Sequence, residues 1–464
     1  MRLRWAALLP CLLLGTPALA QAPQPPAPLP APLPLFPPDN WWNDDVSSAP
    51  VDPNSPNYLN FIGTGTGLHP DFGGDDTSTP NGIFGMIYAV VPGTQPLEVV
   101  DFSSGYPDES DAGVPGRPPG YPIPVGARTQ PKWIEGGQPG GGDSGDRHML
   151  LVDRDNRILY ELYATRWNPG AGRWEADSGA IFFLDGNGRR PEGWTSADAA
   201  GLAILPGLVR YDEAFGADPI RHAFRVTVQS TNGHVFPASH TAGSNPSALP
   251  MGARLRLKGT KDISGYAPSV QKLFQAMKTY GLIVADNGSN LYVTGAYDTR
   301  WDNGVLNPAF GSLKASDFEV IQLGWRPAVA TSTGAADFYT LTPCRLLDTR
   351  LASNQLPPGP YGGPALLPSV SRVVVVAGRC GIPATARAVS INVTVATPPA
   401  AGHLRFFPGD GTPPTASTLN FSAGQTRANN AIVMLASSGS GSFGFANYAA
   451  LGVNVVIDVN GYFQ

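Results

Sequence analysis

An alternating basic segment is the first pattern in the chain that could do chemistry. In Arg254-Leu255-Arg256-Leu257-Lys258, strand alternation puts the three cations on one face and the leucines on the other. Such a row can line a concave sheet and neutralise a uronate carboxylate, as a polysaccharide lyase requires. A solvated sheet face shows the same pattern. We predict that Arg254, Arg256 and Lys258 bind substrate, with a solvated face as the alternative.

Three histidines follow one another closely, at positions 222, 234 and 240. His222 precedes an apolar alternating run and shares a face with Phe224, so it could act as a general base at the end of an apolar cleft. We predict catalytic roles for His222 and His240. The alternative is a core histidine bonded to a carbonyl. The irregular spacing argues against a metal site, and we expect no metal and no cofactor.

Tryptophan and carboxylates occur together in three short segments, 39–45, 173–177 and 298–302. Sugar rings stack their C–H faces on indoles, while carboxylates hold hydroxyls or act as acid and base. We therefore predict that Trp174 and Trp301 bind substrate. Ordinary loops with core tryptophans are the alternative.

Four further carboxylates are candidates for acid–base chemistry: Asp198, Asp212, Glu213 and Asp286. A glycosidase needs two carboxyls about 5–10 Å apart, and sequence does not show which two converge. We predict catalytic roles for Asp198 and Asp212, while Asp286, followed by Asn-Gly, is also typical of a turn. The sequence contains no Gly-x-Ser-x-Gly elbow, phosphate loop, His-Glu-x-x-His helix or dinucleotide fingerprint.

The elements that must position these residues are mostly strands. Apolar and β-branched runs predict strands at residues 149–153, 157–163, 180–184, 223–228, 253–258, 282–285, 290–294, 318–323, 372–376, 388–395, 404–407, 431–435, 442–447 and 453–459. One helix begins near Pro268 and ends before Gly281. The predicted fold is mainly all-β: a β-sandwich or jelly-roll first domain with one helix, and a smaller all-β C-terminal domain.

Composition supports this fold and excludes several classes of protein. Gly (55) and Pro (48) are abundant and charged residues are only 14%, which argues against a helical bundle or coiled coil. The hydrophobic content of 42% excludes wholesale disorder. A net charge of -5 argues against a nucleic-acid binder.

The chain divides into five segments. Residues 1–20 have a basic start, an apolar stretch and a small-x-small end, typical of a secretory signal and too short for a transmembrane anchor. Residues 21–38 are a Pro-rich linker, predicted to be an extended spacer without a core. A polysaccharide-active domain follows at 39–327, then a linker at 328–336 and an attachment domain at 337–464.

Two cysteines remain after the predicted cleavage. Cys344 and Cys380 are 36 positions apart, and an even pair in an exported protein predicts one disulfide. Both cysteines fall in the last segment, so the bridge belongs wholly to the second domain.

The last segment resembles a C-terminal β-domain that recurs in secreted bacterial proteins. The matching runs are LTPCRLLDTR from Leu341, AVSINVT from Ala388, STLNF from Ser417 and IDVNGYF from Ile457. The resemblance implies extracellular or surface attachment and no known activity.

The first domain resembles a family of exported bacterial proteins of unassigned activity. The matching runs are TSADAAG from Thr195, PGLVRYDE from Pro206, PMG from Pro250 and ADNG from Ala285. This resemblance supplies no catalytic residues.

These patterns together predict a secreted, extracellular protein that cleaves or binds a polysaccharide or cell-surface glycan. As an enzyme it would be a glycoside hydrolase or a polysaccharide lyase. The alternative is a non-catalytic surface or matrix adhesin. We expect no nucleic-acid partner and no transmembrane segment.

Overall fold

The computed structural model of the protein describes residues 28–114, 117–327, 336–351, 361–383, 385–437 and 439–464. The predicted signal, 1–20, lies outside these residues, as does nearly all of the linker predicted at 328–336. The described residues form 23 strands and four α-helices, so the prediction of a mainly all-β chain is confirmed. Among them, no helix is both long and apolar enough to cross a membrane.

The first unit, up to residue 327, has fifteen described strands and four helices. The strands are β1 (His69–Asp71), β2 (Asp75–Asp76), β3 (Gly82–Ile83), β4 (Tyr88–Val91), β5 (Val100–Asp101), β6 (Met149–Asp153), β7 (Ile158–Tyr163), β8 (Arg166–Asn168), β9 (Arg173–Glu175), β10 (Ser178–Phe183), β11 (Phe224–Val228), β12 (Arg254–Leu257), β13 (Leu282–Asn287), β14 (Tyr292–Thr294) and β15 (Phe318–Val320). The helices are α1 (Ser55–Ile62), α2 (Tyr211–Phe215), α3 (Pro268–Thr279) and α4 (Asn303–Ser312). Only α3 was predicted, because the other three have 8, 5 and 10 residues and give little periodic signal.

Two sheets form the frame of the first unit. A six-stranded sheet has the order β1-β14-β11-β13-β12-β15, and a four-stranded sheet has the order β10-β7-β6-β4. A small sheet, β5-β9-β8, accompanies them. Four pairs are parallel (β1 with β14, β11 with β13, β4 with β6 and β5 with β9), whereas an ordinary jelly roll is antiparallel.

The four-stranded sheet is buried on both faces, which explains the continuous apolar run of β6. Leu150 and Val152 join the largest core, which also takes side chains from the six-stranded sheet and from α1, α3 and α4. Met149 and Leu151 point the other way, into a second core around Trp174. Strands covered on both sides lose the polar alternation of a half-buried strand.

The described part of the Pro-rich segment differs from the predicted spacer. Leu29, Leu35 and Phe36 are buried in the largest core. The Arg157 guanidinium donates to the Leu35 carbonyl at 2.9 Å and to the Ala31 carbonyl at 3.1 Å. The apolar residues between the prolines therefore pack on the first unit, so the prediction of a spacer without a core does not hold for residues 28–38.

The second unit, from residue 336 onward, is an antiparallel sandwich. Its strands are β16 (Phe338–Asp348), β17 (Ser371–Val375), β18 (Ala388–Ala396), β19 (Gly402–Pro408), β20 (Leu419–Phe421), β21 (Arg427–Met434), β22 (Ser442–Asn447) and β23 (Asn454–Phe463). They form two four-stranded sheets, β16-β23-β18-β21 and β17-β22-β19-β20, around one core. The predicted Cys344–Cys380 disulfide is confirmed.

Candidate functional site

Three polar residues lie in one row across the edge of the six-stranded sheet. Asp71 in β1 pairs with Thr294 in β14, and the β14–β11 register puts Arg225 opposite Thr294. The Arg225 Nη1 donates to Thr294 Oγ1 at 2.8 Å. Directly paired residues share a face, so all three side chains lie on the face opposite to Phe224 and Val226.

Arg225 is held by two carboxylates. Asp198 accepts two bonds, from Nε at 2.9 Å and from Nη2 at 2.8 Å, and its side chain is fully buried. Asp286, at the end of β13, accepts from Nη2 at 3.0 Å and remains about one quarter exposed. Asp198 therefore fixes the guanidinium, while Asp286 is the carboxylate of this pair that solvent can reach.

A buried loop brings Asp198 to this place. The Asp198 amide donates to Ser196 Oγ at 2.9 Å, and the Ala200 amide donates to the Ala285 carbonyl at 2.9 Å. The loop is thereby tied to the end of β13, next to Asp286. Asp198 therefore lies in a polar cluster, where its contacts are those of a positioning residue.

A second group, Glu135 and His148, lies beside the first. His148 Nδ1 is 2.6 Å from Glu135 Oε2, and His148 Nε2 is 3.0 Å from the Ala197 carbonyl oxygen. The carbonyl links this pair directly to the loop that carries Asp198. Asp146 is exposed, and it completes a set of three donor atoms that all lie within 4.8 Å of one another.

We call these residues the carboxylate cluster: Asp71, Glu135, Asp146, Asp198 and Asp286, with the cations Arg225 and His148. Burial raises the pKa of Asp286 to about 6 against the opposing effect of Arg225. The pKa of Asp71 is also raised, because neighbouring groups remove part of the water around its carboxyl although the residue is exposed at its surface, and the carboxylates of Glu135 and Asp146 add to this.

His148 and Glu135 shift each other's pKa in opposite directions. Burial alone would lower the pKa of His148, but the Glu135 carboxylate outweighs burial and raises that pKa to about 9. Burial would raise the pKa of Glu135, but His148 holds it below its usual value. The cluster thus contains one carboxyl poised near neutral pH and one that stays ionised, a combination typical of acid–base sites.

Tyr163 provides an aromatic side chain at the cluster. Its ring centroid is 5.3 Å from that of His148, and the residue is partly exposed. Burial raises the pKa of Tyr163, and the nearby carboxylates of Asp146 and Asp286 contribute. A partly exposed ring beside carboxylates is a suitable surface for a sugar.

The basic row has the predicted alternation but is covered. Arg254 donates to the carbonyls of Trp41 and Asp44. Arg256 binds Glu319 at 2.7 Å and three carbonyls of residues 46–49, and Lys258 donates to the Ser316 carbonyl at 2.8 Å. Arg256 also borders a shallow hollow of about 300 Å³, but its guanidinium is already engaged. Because these side chains bind other parts of the protein, the contacts favour neither the predicted ligand-binding row nor its alternative, a solvated sheet face.

The structure does not bring His222 to that row. Register places Arg254, Ile283 and Arg225 side by side on one face, whereas the His222 ring lies 5.4 Å from Phe224. His222 is buried, its Nδ1 is 2.9 Å from the Ala223 carbonyl oxygen, and its Nε2 contacts Glu213 at 3.0 Å. This is the core histidine that the sequence offered as the alternative.

The predicted His240 and the neighbouring His234 are also separate from one another. His240 Nδ1 is 2.8 Å from the Ala199 carbonyl oxygen, so His240 lies against the Asp198 loop. His234 pairs with the exposed Glu192 at 2.5 Å. Asp212 is exposed on α2, outside the carboxylate cluster.

Both predicted substrate-binding tryptophans are buried. Trp174 is fully buried against Trp167, with ring centroids 5.5 Å apart. The Trp301 Nε1 donates to the Ala296 carbonyl at 3.0 Å, and its ring packs on Phe72 at 4.9 Å. Neither indole face is open to a ligand, so these contacts favour the core alternative.

Sequence reasoning missed Asp71, Glu135, Asp146, His148 and Arg225 as site residues. A usable signal was present for two of them, because Asp146 and His148 lie just before the predicted strand at Met149–Asp153. Polar residues at strand ends gather at the edge of a sheet. Glu135, in a Gly-rich loop, carries no such signal.

A hollow larger than the one beside Arg256 lies elsewhere, in the second unit. It measures about 480 Å³ and is lined by residues around Cys344, Arg345 and Asp458. Arg345 is already paired with Asp458. We locate the candidate site at the carboxylate cluster because its groups are suited to acid–base chemistry.

No family model matches the chain, and no curated protein matches it either. Among solved structures, the coat protein of Tobacco streak virus is similar to part of it, at 11% identity. The match covers 28% of this chain and 90% of that one, with a TM-score of 0.16. A TM-score this low carries no argument about fold or function.

Proposed function

We propose that the protein is an exported glycoside hydrolase whose first unit cleaves a neutral or amino-bearing polysaccharide at the carboxylate cluster. The observation that carries this proposal is Asp286. This carboxyl is partly exposed, is held by Arg225 at 3.0 Å, and has a pKa raised to about 6 by burial. A carboxyl of this kind is protonated often enough near neutral pH to serve as a general acid.

Asp71 is the proposed partner of Asp286. Asp71 is exposed and lies one strand beyond Thr294. The Thr294 hydroxyl accepts from Arg225 Nη1, and Asp286 accepts from the other terminal nitrogen, Nη2. The strands of Asp71 and Asp286, β1 and β13, are three spacings of ~4.8 Å apart in the sheet, about 14 Å at the backbone, so the pair is too wide for the ~5 Å of a retaining enzyme and both side chains must reach toward each other across Arg225 to act as an inverting pair. Asp286 would protonate the leaving oxygen while Asp71 activates water, with inversion at the anomeric carbon.

Charge favours a hydrolase over a lyase. When all are ionised, the five carboxylates of the cluster exceed its two cations, Arg225 and His148, by three. A uronate chain would be repelled by this surface, and a lyase must neutralise the uronate carboxylate. Arg254 and Arg256, the cations that could have done so, already bind carbonyls and Glu319. A neutral or cationic sugar suits the negative charge of the cluster better than a uronate does.

The remaining features support an extracellular setting. The first twenty residues are typical of a secretory signal, and the Cys344–Cys380 disulfide is suited to an oxidising compartment. The second unit, by its resemblance to a recurrent domain of secreted proteins, would attach the enzyme to a surface.

The test uses the mature chain and four polysaccharides: xylan, mannan, chitosan and alginate. We expect reducing ends from a neutral or amino polymer and no unsaturated uronate from alginate. Asp286→Asn should lower turnover by ~10²–10⁴-fold. Asp212→Asn, which changes an exposed carboxylate outside the cluster, is the matched control. Release of unsaturated uronate would replace the hydrolase with a lyase, and no reaction on any polymer would favour the adhesin.

A further inference from the structure

We infer that Glu135, Asp146 and His148 bind one divalent transition-metal ion, Zn²⁺ or Mn²⁺. The donor atoms of these residues lie within 4.8 Å of one another, and this is the one such group among the described residues. A tetrahedral ion with bonds of ~2.1 Å separates its ligand atoms by roughly 3.4 Å. Small side-chain adjustments would bring the three atoms to that spacing.

The hydrogen bonds of His148 fix which nitrogen faces the site. A carbonyl oxygen only accepts, so the 3.0 Å contact with Ala197 requires the proton on Nε2. Nδ1 then faces Glu135 Oε2 at 2.6 Å with a lone pair or with a second proton. At 2.6 Å a proton lies between these two atoms, and a metal ion would take the place of that proton once the atoms move apart to the ligand spacing.

The same arrangement is common in metal sites. A metal-binding histidine usually donates its other N–H to a carbonyl or carboxylate, which orients the ring. His148 is 2% exposed, and its amide also donates to Glu135 Oε2 at 3.2 Å. The ligand pair is therefore held in place before any ion arrives.

Charge supplies an independent reason for a dication. The carboxylate cluster carries three more negative than positive charges when its carboxyls are ionised, in a partly buried place. A divalent ion that displaced the His148 proton would reduce this excess by one net charge and bring ionised carboxylates together without repulsion.

The donor set selects the class of ion. Ca²⁺ and Mg²⁺ prefer oxygen ligands only, whereas one imidazole and two carboxylates suit Zn²⁺ and Mn²⁺. Three protein ligands leave a position for water or a sugar hydroxyl. The inference concerns binding alone and does not depend on the proposed hydrolysis.

The test is metal binding by the full mature chain after dialysis against a chelator. Titration calorimetry with Zn²⁺ and with Mn²⁺, and elemental analysis after gel filtration, should show one equivalent of either ion. Asp146→Asn, at an exposed position, should weaken binding at least tenfold, and His148→Gln should do the same. His234→Gln is the matched control, because His234 pairs with Glu192 at 2.5 Å outside the cluster.

Several results would overturn the inference. These are no binding at micromolar ion, unchanged affinity in Asp146→Asn, or loss of the equivalent in His234→Gln. Binding of Ca²⁺ in preference to Zn²⁺ would also overturn it. If His148→Gln fails to fold, Asp146→Asn decides. If the polysaccharide assay shows no turnover, one bound equivalent of Zn²⁺ would still support the metal site, so the two proposals can fail separately.

Discussion

Replacing Asp198 by Asn should destabilise the first unit strongly, because it leaves the buried Arg225 with only one of its two carboxylates. The Asp198 side chain is 0% exposed and that of Arg225 is 3% exposed. Removing one member of a buried ion pair costs about 3–5 kcal/mol. Asp286 still binds the guanidinium at 3.0 Å, so we expect the lower end, ~3 kcal/mol.

The assay is urea unfolding at pH 7, followed by circular dichroism and tryptophan fluorescence. Asp212→Asn is the control: its carboxylate is 49% exposed and lies 3.5 Å from Arg210, and exposed pairs contribute ~0–1 kcal/mol. If Asp198→Asn unfolds within ~1 kcal/mol of the parent chain, Asp198 does not hold Arg225 as described. A stable Asp198→Asn variant without turnover would restore its predicted catalytic role.

Three further outcomes are expected. Without metal, the protonated His148 stabilises the fold fully below pH ~6.5, and this effect is lost as pH rises through its pKa of about 9. Unfolding midpoints measured across this pH range should therefore fall in the parent chain and stay flat in His148→Gln. Reducing Cys344–Cys380, which closes 36 positions, should destabilise the second unit by ~4 kcal/mol in urea unfolding, and an unchanged midpoint would count against the bridge. A chain ending at Pro327 should unfold cooperatively, because the cores of the two units share no residue; calorimetry showing no transition would contradict two domains.

Much of the strand content could be predicted, because long β-branched or apolar runs carry a strong local signal. The run that became Met149–Asp153 and the alternation of Arg254–Leu257 are examples. The three-residue strand His69–Asp71 has a composition typical of a turn. It pairs with Tyr292–Thr294, more than 200 positions away, and no local pattern shows such pairing.

The candidate site was harder to predict for the same reason. Alternation correctly put Arg254 and Arg256 on one face, and register shows that Arg225 shares that face. The sequence did not show that residues 41–49 cover Arg254 and Arg256, because these contacts join residues about 210 positions apart in the chain. Whether an ionisable side chain is free depends on what packs over it, which is a tertiary property.

The most direct test of the central claim compares turnover and stability in Asp286→Asn. A carboxyl with its pKa raised to about 6 destabilises the folded chain when ionised, above pH 6, so the amide should leave the thermal midpoint at pH 7 unchanged or higher. Release of reducing ends should fall ~10²–10⁴-fold, and the parent rate should decline tenfold per pH unit above 6. Parent-like turnover in a folded Asp286→Asn chain would contradict the claim that this carboxyl is the acid of a glycoside hydrolase.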